Sequence, residues 1–190
     1  MNIGTRSVLF GVHQFAIHPW FVAWAWWRLY GFPFDPRLWI AFFLHDLGYL
    51  GKPNMDGKEG EEHPLWAASL MGSLFGIKWH TFCFYHSRYL AKRDDRPFSR
   101  LCVADKLAIA LTPAWLYLPL SRLSGELEEY MRGQGGRTPA GDRSPWEWYR
   151  DVQRYCKAWA WAHVDGKRDT WTGTIRDLAI DVAEPEGPTR

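Results

Sequence analysis

The chain is 190 residues long and poor in the features that usually give a quick assignment. Cysteine is scarce. Cys83, Cys102 and Cys156 are odd in number and form no CxxC pair, which argues against a disulfide framework and reads as free thiols in a reducing compartment. An excess of charge of one sign is missing too. The net charge is +2, without the strong basic bias of a dedicated nucleic-acid binder. No uninterrupted apolar run reaches the length of a membrane span. Residues 8–27 come nearest, but His13, Gln14, His18 and Pro19 interrupt them. Residues 107–120 are too few and contain Pro113. The N-terminus lacks a basic segment followed by a clean apolar one, so no signal peptide is expected and a cytoplasmic location is. Internal repeats, low-complexity tracts, domain-splitting linkers and alternating strand patterns are also lacking.

What is present is apolar and aromatic: 47% hydrophobic and 17% aromatic residues, with 13 Trp. That composition argues for a well-packed globule, and the length for a single domain over residues 1–183 with a frayed tail over 184–190. Apolar residues at helical spacing predict helices over 7–13, 19–30, 36–50, 62–75, 78–90, 98–111, 115–132, 145–163 and 170–182. Pro19, Pro36, Pro64 and Pro145 sit where a first helical turn would place them, and Gly31 and Gly76 where helices stop. The loop over 133–144, rich in Gly, Arg and Pro, is expected to be the most mobile. The fold class is all-α, a single-domain helical bundle. Within it the Trp-rich helix (Trp20, Trp24, Trp26, Trp27) reads as core.

One stretch organises the chain: Phe42-Phe43-Leu44-His45-Asp46-Leu47-Gly48-Tyr49-Leu50-Gly51. It ends an apolar run with an imidazole and a carboxylate side by side. Burying either unpaired is costly, and a bound cation removes the cost for both. Further ligands follow from the same reasoning: His18 before the stretch, just ahead of a predicted helix, then His63, His86 and Asp105 after it, each on a different predicted helix. Helical bundles build metal sites in this way, from side chains converging off facing helices. Four His and two Asp suit iron, manganese or zinc better than magnesium or calcium. Six ligands are more than one open catalytic metal needs and suit two ions sharing a carboxylate. His13 competes with His18, which is favoured because Pro19 opens a helix directly after it. His80 competes with His86, which is favoured by its spacing to Asp105. His163, in an aromatic helix, reads as structural or exposed. Of the acidic residues before His63 (Asp56, Glu59, Glu61, Glu62), most read as solvated, with one available for proton transfer. Lys52, Arg88 and Lys106 are the cations nearest the ligands in sequence, read either as solvated surface or as phosphate-recognition groups.

The order His, His-Asp, His, His, Asp on successive helices resembles the HD-domain superfamily of metal-dependent phosphohydrolases, over residues 18–106. Locally, His45-Asp46-Leu47-Gly48-Tyr49-Leu50-Gly51-Lys52-Pro53 is similar to the HD-GYP motif HDIGKIGxP. Glu61-Glu62-His63 is similar to the stretch carrying the next ligand, and Val103-Ala104-Asp105 to the one carrying the last. The resemblance implies a helical fold and a mono- or dinuclear centre bridged by Asp46. The two histidines between the HD pair and Asp105 resemble the dinuclear branch, which includes cyclic-dinucleotide phosphodiesterases and dinucleoside polyphosphate hydrolases. The chain departs from the HD-GYP pattern at Tyr49, where that motif has lysine. It departs again after His86, where Ser87-Arg88-Tyr89-Leu90 replaces Gly-Tyr-Pro. The HDxxE pattern of mononuclear nucleotidases is absent as well.

The resulting expectation is a phosphohydrolase acting on a nucleotide, dinucleotide or related phosphate ester. It would use two divalent transition-metal ions, iron or manganese first, with zinc, cobalt or nickel admissible. The candidate catalytic residues are Asp46, Lys52, Arg88 and Lys106. The metal ligands are His18, His45, Asp46, His63, His86 and Asp105. Two other readings share the fold: a di-iron HD-domain oxygenase, and a non-catalytic ligand-binding module. Homo-oligomerisation is left open.

Overall fold

Helix starts in this chain are set by proline and by short polar caps. The computed structural model describes residues 1–132 and 144–165. Over these residues the protein is all-α, with ten α-helices: α1 (Ile3–Phe10), α2 (His18–Tyr30), α3 (Pro36–Leu44), α4 (Pro64–Phe75), α5 (Ile77–Phe84), α6 (Arg88–Arg93), α7 (Arg100–Leu111), α8 (Ala114–Ser124), α9 (Glu126–Arg132) and α10 (Pro145–Ala162). Pro19, Pro36, Pro64 and Pro145 all fall in first turns, as expected. Asp35, Ser87 and Ser99 cap α3, α6 and α7 by accepting from backbone N–H groups, and Ser144 forms a capping box with Glu147 on α10.

The core forms around α7, which packs against α2 on one side and α10 on the other. Leu101, Cys102, Val103, Ala104, Leu107 and Ala108 of α7 are all buried, the pattern of a helix surrounded by neighbours. Each side chain the size of Leu101 or Val103 stabilises the fold by about 1.5–3 kcal/mol on burial. Helices α4 and α5 form a hairpin through Gly76, and α1 lies on α8. The three cysteines are buried, and no disulfide forms among the described residues. Among the described residues, no single helix is long and apolar enough to cross a membrane.

Several expected helices are shorter than the apolar pattern suggested. The segment 36–50 is helical only to Leu44 and continues as a 3-10 turn over Leu47–Tyr49. The segment 78–90 breaks after Phe84, and 115–132 is divided by Gly125, which adopts φ +87°. Helix α1 begins earlier than expected and stops at Phe10, leaving His13 outside it. Of the four tryptophans on α2 only Trp26 joins the core; Trp20, Trp24 and Trp27 are 57%, 42% and 58% exposed. Nearly every position of α2 is apolar, so periodicity could not choose a face. The small residues Ala23 and Ala25 and the branched Val22 take the buried side, where helices approach closely. The predicted helix at 170–182, the tail, and the loop at 133–144 apart from Ser144 lie outside the described residues.

Candidate metal centre

Each of the six ligand candidates is delivered by a helix end or by α7. His18 opens α2, and its backbone N–H donates to Gln14. Consecutive residues on a continuous helix point about 100° apart, so His45 and Asp46 could not share a target within one. They straddle the end of α3 instead, with Asp46 at φ −96° and ψ −6°, and both reach the same point. The turn that follows packs directly onto the next ligand: a Cβ at Gly48 would lie 1.9 Å from the His63 carbonyl oxygen. Glycine is thus required in the His-Asp-Leu-Gly sequence for backbone approach. His63 precedes α4, and the Tyr49 ring stacks on it at 3.9 Å. His86 lies in the break between α5 and α6, and Asp105 in the middle of α7. All six are buried.

They form two groups that share one residue. His18, His45, Asp46 and Asp105 bring ligand atoms within 4.8 Å of one another, and so do Asp46, His63 and His86. Asp46 Oδ2 faces the first group, 3.3 Å from His18 Nε2 and 3.1 Å from His45 Nε2. Its Oδ1 faces the second, 3.6 Å from His63 Nε2 and 3.8 Å from His86 Nε2. Asp105 Oδ1 closes the first group, 3.1 Å from His18 Nε2 and 3.8 Å from His45 Nε2.

The hydrogen bonds behind three of the rings fix where their protons are. Nδ1 of His45, His63 and His86 lies 2.8, 2.7 and 2.5 Å from the carbonyl oxygens of Phe42, Gly60 and Cys83. A carbonyl only accepts, so each Nδ1 carries a proton and Nε2 is the ring position turned to the centre. Such backbone partners behind the ring are the usual support of metal-binding histidines. Nε2 of His63 and Nε2 of His86 face each other at 2.9 Å, and with both rings neutral and protonated at Nδ1 the two lone pairs repel unless a cation lies between or beside them. His45 Nε2 and Asp46 Oδ2 are buried with no hydrogen-bond partner at all. Orphaned acceptors converging in this way fit a metal ion, and the donor set of imidazole and carboxylate suits a first-row transition metal.

Electrostatics point the same way. Burial alone would depress His45, but the Asp46 and Asp105 carboxylates outweigh it and carry the imidazole up to about 10. Burial opposes ionisation of both carboxylates, yet the neighbouring imidazoles hold Asp46 and Asp105 well below the usual range. The first group therefore draws in positive charge. His63 is pushed well below its usual range by burial and by His86 beside it. A proton is disfavoured there, and the ring stays free to ligate.

The structure separates the competing residues. His80 packs against Gly72 and stacks on Phe84. His163 is buried, stacked on Trp159 with Nδ1 donating to the Trp159 carbonyl, which is a structural role. His13 lies against His18, but its Nδ1 is bonded to Glu126 at 2.7 Å. Among the cations, Lys106 Nζ is 3.9 Å from Asp105 Oδ2, and that carboxylate raises its pKa against the effect of burial. Arg88 lies over the Trp159 ring at 4.7 Å and donates to the Tyr155 hydroxyl. Lys52 is drawn to Glu62, 4.0 Å away. Of the acidic residues before His63, Glu59 accepts from Asn54 and Glu61 from Ser87. Sequence reasoning missed Tyr49 as a wall of the site and Glu126 altogether. The one available signal for Glu126 was Gly125 before it, marking a break in an apparently continuous helix.

The chain matches no protein-family model, no curated protein and no solved structure. The helical fold and its buried His/Asp cluster, able to hold metal, are compatible with an HD-type site.

Proposed function

We propose that this protein is a metal-dependent phosphohydrolase of the HD-domain type, with two divalent transition-metal ions as cofactors. His18, His45, Asp46 and Asp105 would hold one ion, and Asp46, His63 and His86 the other. The observation that carries the reading is the position of Asp46. Its two oxygens face two separate sets of imidazole nitrogens, three of them on rings held from behind by backbone carbonyls. Bound there, the ions would lower the pKa of a water towards neutrality and polarise a phosphoryl oxygen.

The chain's own residues supply the rest. Lys106 borders the first group through Asp105. Arg88 is held by the Trp159 ring and the Tyr155 hydroxyl, so little freedom is lost when it engages an anion. These two cations would bind the ester and neutralise charge developing on its phosphoryl oxygens. Lys52, committed to Glu62, is the weaker candidate for that role. The substrate class is a phosphate ester or anhydride, with nucleotides and dinucleotides the first to try.

The test is metal analysis of protein purified without added metal, with a phosphate-release screen over nucleotides and dinucleotides in the presence of Mn, Fe, Co, Ni and Zn. About two ions per chain and metal-dependent release are expected. Two irons with oxygen consumption and no release would overturn the reading in favour of an oxygenase. A metal-free, inactive protein would overturn it in favour of a binding module.

A further inference from the structure

The proposed chemistry makes no use of the aromatic residues on the outer side of α2. Trp20, Trp24 and Trp27 recur at the helical period, so all three fall within an arc of roughly 60°, and each is exposed. Val22, Ala25 and Trp26 take the opposite, buried side. The row does not stop with the helix. Gly31 at φ +85° turns the chain, the Phe32 ring lies 6.0 Å from Trp27, and Phe34 lies 4.8 Å from Phe32 and is 86% exposed. At the other end Trp20 stands edge-on to Phe43, 5.7 Å away. Trp66, Trp115 and Trp146 are exposed as well, but each on a different helix. A continuous exposed apolar strip marks an interaction surface, where single exposed rings do not.

Ring chemistry and charge choose the partner. An indole is apolar over its body and carries one N–H donor at its edge. Among the described residues, the N–H groups of Trp20, Trp24 and Trp27 donate to no protein acceptor, whereas Trp39 beside them donates to the Pro33 carbonyl at 2.9 Å. A dry protein interface would have to supply an acceptor for each. A bilayer surface offers headgroup oxygens and water to one edge of the ring and hydrocarbon to the rest, which is why Trp concentrates there. Charge agrees. Residues 1–34 contain no Asp or Glu. Two carboxylates border the row, and each meets an arginine. Asp35 is held by Arg37 at 2.7 Å, and the charge of Asp165 is felt at Tyr30 along with that of Arg100, 5.0 Å over the same ring. Arg28, one turn after Trp24 and exposed, is left as the net charge of the border. A border without uncompensated acid suits an anionic surface.

We propose that the row of Trp20, Trp24, Trp27, Phe32 and Phe34 docks the protein on the surface of a bilayer containing anionic phospholipid, with α2 lying along the interface and Arg28 among the headgroups. Such docking needs no helix that crosses the membrane, and it holds whatever reaction the metal centre performs.

The experiment uses the full chain with two kinds of vesicle, phosphatidylcholine alone and equal parts phosphatidylcholine and phosphatidylglycerol. The protein should sediment with the anionic vesicles and bind them at least about fivefold more tightly than the neutral ones, a preference that shrinks as salt is added. Oxidative footprinting read by mass spectrometry should show Trp24 and Trp27 protected on the vesicles while Trp115 and Trp146 stay reactive. Trp24→Ser combined with Trp27→Ser should keep the helicity of the parent and lose at least about tenfold in vesicle affinity. Arg28→Gln should lose about fivefold, on the anionic vesicles alone. Failure to sediment with either vesicle overturns the proposal, and so does a double variant that binds as tightly as the parent. Vesicles that protect all four indoles alike, or none, overturn it without any variant, even where the double variant fails to fold. Trp24 and Trp27 already unreactive in lipid-free protein overturn it too. A dimer would then place a second copy on this face, and a monomer another part of the same chain.

Discussion

Removing Asp46 and removing Asp105 should have unequal effects, and the inequality follows from the geometry. Asp46 lies within 3.8 Å of four imidazole nitrogens, two from each group, whereas Asp105 approaches only His18 and His45. Asp105→Ala therefore leaves the Asp46–His63–His86 group whole, and Asp46→Ala leaves neither. A ligand present at 100 times its dissociation constant stabilises the folded state by about 2.7 kcal/mol per site. Each kcal/mol shifts the melting temperature of a domain of this size by roughly 2–4 °C. Two filled sites should then separate metal-loaded from chelator-treated protein by about 10–20 °C. Asp105→Ala should show about half that separation and about one ion per chain, and Asp46→Ala close to none of either. Thermal unfolding followed by circular dichroism, with metal analysis by mass spectrometry, reads both quantities. Equal losses in the two variants would refute a shared carboxylate. A parent whose melting temperature ignores the chelator would refute the metal centre itself.

Gly48→Ala places a methyl group 1.9 Å from the His63 carbonyl. It should destabilise the protein by about 1–3 kcal/mol and deplete metal from the second group, as chemical unfolding and metal analysis would show. Lys106→Ala and Arg88→Ala should each keep full metal content while losing about a hundredfold in kcat/KM on a phosphodiester; a loss of metal instead would make these cations structural. The His13–Glu126 pair gives a pH dependence. The charge and hydrogen bond of Glu126 outweigh burial and raise His13 from 6.5 to about 9. Stability from a raised imidazole is whole below pH 6.5 and is lost as pH rises through about 9, a swing of about 3 kcal/mol at most. Glu126, held below its ordinary 4.5 by His13 and the Ser7 and Ser124 hydroxyls against the effect of burial, loses its contribution as pH falls below that value. Urea unfolding of the parent and of His13→Gln in chelator should therefore differ most near pH 5–6 and least above about pH 9; a constant difference would refute the pair.

Much of the fold was legible because its signals are local. Pro19, Pro36, Pro64 and Pro145 fix φ where helices begin, and Gly31 and Gly76, at φ +85° and +88°, end them. The buried His/Asp cluster was legible for a chemical reason. Imidazoles and carboxylates at the ends of apolar runs need a partner when buried, and His18, His45, Asp46, His63, His86 and Asp105 are all buried together. The outward tryptophans were not legible. Which side of an all-apolar helix is buried depends on what packs against it, and α2, which packs on α7 and α3, buries Val22, Ala23, Ala25 and Trp26.

The boundaries misread from the sequence fall where imidazoles and carboxylates converge. Apolar spacing ran straight through positions 45–46, 85–87 and 125, and helix was assigned as far as His13. The structure breaks the helix at each of these places: after Leu44, after Phe84, at Gly125 and after Phe10. The breaks deliver His45 and Asp46, His86, Glu126 and His13 respectively. A helix interior shows one side chain per turn to a given point, so a centre built from adjacent or opposed residues needs helix ends, where the backbone changes direction. Apolar residues continue past each end, at Val12, Leu47, Tyr85 and Leu127, so hydrophobicity carries no mark of the turn. Local rules should fail where a site imposes its own geometry. Glu126 shows this most clearly. In sequence it is an ordinary acidic residue in a first helical turn. Only the fold, by carrying α1 over α8, gives it an imidazole 113 positions away.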